Sequence, residues 1–91
     1  MNQAAKHVIF SGHVQGVGFR YTANDIARGY AVTGFVRNLP DGTVELFIQG
    51  PAQDVDNCLN DIQDTFSGYI RDTRVEPVAS NPRYSGFRIT F

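Results

Sequence analysis

Two places in this 91-residue chain combine residue types that could do chemistry. The first is Gly12-His13-Val14-Gln15-Gly16-Val17-Gly18-Phe19-Arg20, a glycine-punctuated stretch that closes on an arginine. Glycines this closely spaced cost conformational entropy on folding, so they belong where a turn or a close-approaching ligand requires them. Between a strand and a helix N-terminus, successive backbone N–H groups of such a bend can converge on an anion. Arg20 adds a permanently charged planar fork suited to two-point contact with phosphoryl oxygens. No Gly-Lys-Ser/Thr follows at Walker A spacing, and Tyr21 stands where the third glycine of a dinucleotide fingerprint belongs. On chemistry alone, an anion site (phosphate or carboxylate) and a tight turn bearing a surface arginine both remain open. The second place is Asn38, an amide at a strand end before the turn Leu39-Pro40-Asp41-Gly42-Thr43.

The elements that must position these residues follow from hydrophobic period. Val8, Phe10, Gly12 and Val14 share one face of a strand over 7–14. Thr22 and Asp25 form a weak capping pattern, and Ala23, Ile26, Ala27 and Tyr30 repeat at helical spacing, which predicts a helix over about 22–30. Val32–Asn38 reads as a second strand. Pro40 and Gly42 make a turn, and Val44, Leu46 and Ile48 alternate along a third strand that returns on the second as a hairpin. Gly50-Pro51 is expected to stop it, with Pro51 in the first turn of the next helix. Val55, Cys58, Leu59, Ile62 and Phe66 form an apolar helical stripe, ended at Gly68. Ile70–Val78 is a less regular strand, Asn81-Pro82-Arg83 a turn, and Phe87, Ile89 and Phe91 alternate along a final strand.

The order β-α-β-β-α-β with an extra C-terminal strand predicts an α+β, ferredoxin-like sandwich with both helices on one face of the sheet. Residues 1–6 are expected to form a flexible tail ahead of a single domain over 7–91. In this topology strands one and two run parallel, with strand three between them, so Arg20 and Asn38 reach the same rim. The two residues meet there because a helix of about 15 Å leads away from the rim and a strand of about 23 Å leads back.

Composition limits the alternatives. The net charge is −1, no basic block exists, and no nucleic-acid footprint is expected. The apolar runs are too short to span a membrane, and no signal-peptide core follows Met1. A single cysteine, Cys58, excludes an internal disulfide and falls on the buried stripe, and no Cys/His cluster has metal-ligand spacing. His13 lacks a serine, cysteine or carboxylate partner and reads as structural. A cytoplasmic, metal-free monomer is expected.

Gly12 to Arg20, together with Gly34-Phe35-Val36-Arg37-Asn38, Asp41-Gly42-Thr43-Val44 and Gly50, resembles the two signatures of the acylphosphatases in order and spacing. The resemblance spans nearly the whole chain. It implies a hydrolase that cleaves the carboxyl–phosphate bond of a small-molecule acyl phosphate without cofactor or metal. It implies further that Arg20 and the backbone amides of Gln15, Gly16, Val17, Gly18 and Phe19 hold the phosphate, while Asn38 holds the attacking water. An amide suits that last task because it both donates and accepts hydrogen bonds. The resemblance also extends to the N-terminal domain of hydrogenase-maturation carbamoyltransferases, against which a chain running from Met1 to Phe91 argues. An anion sensor that does not turn its ligand over is the other reading of the fold. One departure is Ala31, where the family usually has glycine after the first helix. A left-handed residue there would cost about 1 kcal/mol, so a rearranged helix end is expected. If the last strand pairs parallel to the second, the Phe91 carboxylate reaches Arg20.

Overall fold

The computed structural model describes residues 2–91. Its elements are β1 (Gln3–Gly12), α1 (Phe19–Arg28), β2 (Thr33–Asn38), β3 (Val44–Pro51), α2 (Ala52–Thr65), β4 (Ile70–Pro77) and β5 (Phe87–Ile89). The sheet order is β4-β1-β3-β2-β5. β3 is antiparallel to both β1 and β2, and β5 is parallel to β2. This is the expected ferredoxin-like α+β sandwich with its extra C-terminal strand.

Alternation decides which residues enter the core. Val8 and Phe10 of β1, Val44, Leu46 and Ile48 of β3, and Val36 of β2 are fully buried on the helix side. Against them α2 sets Val55, Cys58, Leu59 and Ile62, and α1 sets Phe19, Ala23 and Ala27. Cys58 is therefore packing, and burial pushes its thiol up to about 12. The opposite face of the sheet is covered by the connection from β4 to β5, which must cross from one edge to the other. Tyr84 packs on Phe35 and Phe47, with ring centroids 5.6 and 5.3 Å away. The Gln49 amide and the Asn81 backbone exchange two hydrogen bonds of 2.8 and 2.7 Å.

Several boundaries differ from the sequence reading. Residues 3–6 are not a tail: Gln3, Ala4 and Ala5 continue the ladder against Pro51, Gly50 and Gln49, and Lys6 pairs with Asp56 at 2.7 Å. Met1 lies outside the described residues. β3 runs through Gly50 to Pro51, which precedes α2 instead of opening its first turn. α2 ends at Thr65, with Phe66 as its cap, and Gly68 has no left-handed backbone angle. The end of α1 avoids the strain expected at Ala31. Gly29 and Tyr30 donate to Ile26 and Ala27 in tightened last-turn bonds, no residue other than glycine has positive φ among the described residues, and the Ala31 N–H donates to Asp54 Oδ2 at 2.8 Å. No helix among the described residues is long and apolar enough to cross a membrane.

Candidate active site at the sheet rim

The bend after β1 is shaped by two glycines in the left-handed conformation, Gly16 (φ 78°) and Gly18 (φ 76°). A Cβ at either would meet nothing within 4 Å, so these positions demand a backbone angle and leave the backbone open. Helix α1 begins directly after Gly18, three residues before the Thr22 start read from the capping pattern. Phe19 decides this. Its ring is buried 5.0 Å from Phe10 and 4.3 Å from Phe66, which pins the first turn to the core.

The earlier start places Arg20 in the first helical turn. The first bond of the helix runs from Thr22 N–H to Gly18 O at 3.0 Å. Among the described residues, the N–H groups of Gln15 through Tyr21 donate to no other group of the protein. They form a run of free donors at the positive end of the α1 dipole. The Arg20 guanidinium, half-buried and without an acidic partner among the described residues, lies 5.0 Å from the centre of the exposed Phe91 ring. No ion pair joins it to the Phe91 carboxylate among the described residues.

Asn38 closes β2, paired with Val44. It lies two residues beyond Val36, so its side chain shares the helix-side face. It meets the bend in one open cavity of about 400 Å³. Gly16, Gly18, Phe19, Arg20 and Asn38 line one part of this cavity, and Val14, Tyr21, Ile89 and Phe91 complete the wall. Of the residues expected at the site, Gln15 and Val17 do not line it. Val17 packs on the core, and the Gln15 side chain turns to the β2–β3 turn, where Nε2 donates to Leu39 O and Thr43 O at 2.8 Å each. That strap had no signal in the sequence beyond its amide. Tyr21 and Ile89 line the cavity without a signal in the sequence, Tyr21 because α1 starts at Phe19 and not at Thr22, while Phe91 reaches the rim expected of it but with its ring toward Arg20.

His13 lies outside the cavity, its N–H bonded to Tyr69 O and its ring 6.3 Å from that of Tyr69. Asp41 shapes the turn after Asn38. Hydrogen bonds from the Thr43 hydroxyl (2.6 Å) and N–H (3.0 Å) hold its carboxyl below the usual range. No group of three or more His, Cys, Asp or Glu that could hold a metal ion occurs among the described residues. The cavity thus offers a fixed cation and free N–H donors for an anion, beside an amide that can orient a water molecule.

A ferredoxin-like sandwich with a fixed cation and free N–H donors at its rim defines a broad class, and sequence comparison narrows it. The acylphosphatase family model matches residues 6–89. An acylphosphatase of Pelotomaculum thermopropionicum is 37% identical over 92 residues, covering all of both chains. One of Methanospirillum hungatei is 48% identical over 64 residues, 70% of each chain. The crystal structure of the Bacillus subtilis acylphosphatase superimposes with a TM-score of 0.88 at 29% identity, covering 99% of this chain and 100% of that one. The chain belongs to the acylphosphatase family.

Proposed function

We propose that this chain hydrolyses acyl phosphates to a carboxylate and inorganic phosphate, with the phosphoryl group held by Arg20 and the free N–H groups of the bend. The observation that carries this reading is the shared cavity of Arg20, the bend and Asn38. Arg20 and the amides neutralise charge on the non-bridging oxygens, where phosphoryl transfer concentrates it. Asn38 accepts a hydrogen bond from a water and aims its oxygen at phosphorus, opposite the acyl oxygen. The water oxygen bonds to phosphorus as the phosphorus–acyl oxygen bond breaks, and the electron pair leaves with the carboxylate. One water proton passes to a phosphate oxygen, so no protein base takes part. The side chains lining the cavity include no His, Asp, Glu, Lys or Cys.

The reading carries with it a cytoplasmic monomer that needs no metal. The test is loss of a synthetic acyl phosphate in excess chelator, with Arg20→Ala and Asn38→Ala in parallel. Turnover that survives chelation and collapses in both variants supports the reading. Phosphate binding without turnover replaces it with an anion sensor.

A further inference from the structure

The bend and Asn38 belong to different elements, yet hydrolysis as proposed needs them in one fixed relation. Val14 and Val17 pack on the core, and among the described residues the hydrogen bonds that join residues 14–17 to the rest of the protein are two, both donated by the Gln15 side chain. The acceptors are the carbonyls at the two ends of the β2–β3 turn. Leu39 N–H already donates to Thr43 O at 2.9 Å, and Gly42 N–H to Leu39 O at 3.2 Å. Each carbonyl has a second lone pair, and the two hydrogens of the Gln15 amide fill both. Leu39 follows Asn38 directly, and Asn38 pairs across the same stem with Val44, the neighbour of Thr43. The amide therefore grips the turn at both stems, one residue beyond Asn38 on one side.

We propose that Gln15 is a positioning residue, whose side chain sets the distance between the phosphate-holding bend and Asn38. This rests on the hydrolytic reading above. The backbone amides and Arg20 hold the phosphoryl group without the Gln15 side chain. Losing the strap lets the turn shift against the bend, which moves the water off its line of attack while the phosphate stays held. Catalytic rate and phosphate affinity then separate.

Gln15→Met keeps the length of the side chain and removes both donors. Its kcat is expected to fall about 10- to 100-fold, the range that a misplacement of about 1 Å produces. The inhibition constant for inorganic phosphate stays within about threefold of wild type, because the groups that bind it are untouched. Gln15→Glu points a carboxylate at two carbonyls at neutral pH, and regains one donor when the acid is protonated. Its kcat relative to wild type rises as pH falls, a recovery that Gln15→Met does not show. Wild-type kcat in Gln15→Met overturns the proposal, as does a loss of phosphate affinity in step with kcat. If Gln15→Met fails to fold, a Gln15→Glu ratio that is flat with pH overturns it instead. Turnover by wild type with an unaffected Gln15→Met sinks the positioning role alone, whereas a wild type that does not hydrolyse acyl phosphates removes both readings.

Discussion

Replacing Arg20 separates its role in binding from any role in holding the fold. Among the described residues it has no ion pair and no side-chain hydrogen bond, and its aromatic neighbour is the ring of Phe91 at 5.0 Å. A cation–π contact at so exposed a ring contributes about 0.5–1 kcal/mol, so Arg20→Ala should cost the fold no more than about that. A bound phosphoryl group gives the guanidinium two charge-assisted hydrogen bonds, each contributing about 1.5–3 kcal/mol. The side chain is half-exposed, so the lower figure applies, and two such bonds total about 3 kcal/mol. At about 1.4 kcal/mol per factor of ten, kcat/KM should fall at least about 100-fold. Arg20→Lys keeps a point charge and loses one arm of the fork, which predicts a loss of about tenfold. The assay follows acyl phosphate disappearance under excess chelator, beside a denaturant melt of each variant. An Arg20→Ala enzyme that keeps kcat/KM within about threefold would refute the reasoning, because no pair of charge-assisted bonds is that weak. Activity lost only in proportion to folded protein would refute it equally.

Three further outcomes are expected. Asn38→Ala should lower kcat about 100-fold or more with KM little changed, since the water and not the phosphate loses its partner; steady-state kinetics distinguish the two. Gly18→Ala should destabilise the fold by about 1–2 kcal/mol through its positive φ, with part of the loss recovered in Gly18→Asn, as read from denaturant midpoints. The third concerns Glu45. Burial opposes its ionisation, but hydrogen bonds from His7 (2.7 Å) and Arg37 (2.5 Å) outweigh burial and hold its carboxyl below its ordinary value of 4.5. A carboxyl with a lower pKa in the folded state stabilises the fold above its unfolded pKa, and that contribution fades as pH falls through the lowered folded value. Wild-type melting temperature should therefore drop as pH falls below about 4.5, and the drop should be shallower in Glu45→Gln.

Much of the architecture is legible in local periodicity, and the departures show where it stops. Val8 with Phe10, Val44 with Leu46 and Ile48, and the stripe from Val55 to Phe66 each repeat at the period of their element, so element order and sheet topology follow from them. The start of α1 does not. Thr22 and Asp25 carry the local capping signal, but Phe19 is held by Phe10 and Phe66, partners from β1 and the end of α2. Tertiary packing of one ring outweighs a weak cap and brings Arg20 into the helix. The same holds at the N-terminus, where Ala4, Ala5 and Lys6 have little strand preference of their own and are recruited by an existing edge of β3. At Ala31 a family departure suggested strain, and the chain instead tightens the last turn and borrows Asp54 from α2.

The site divides along the same line. The types and spacing of Arg20 and Asn38 mark them as candidates, and topology alone carries both to one rim. What topology leaves open is their separation, because the bend and the β2–β3 turn belong to different elements. On the proposed reading the side chains lining the cavity supply no general base, so the rate has to come from position and charge. Charge is met locally, by N–H groups left free when α1 begins at Phe19. Position is not local. It depends on Phe19 fixing the helix to the core and on Gln15 fixing the bend to a turn 24 and 28 residues further along the chain. Such a site loses catalysis before it loses binding when its supports are cut, which sets Gln15 apart from Arg20.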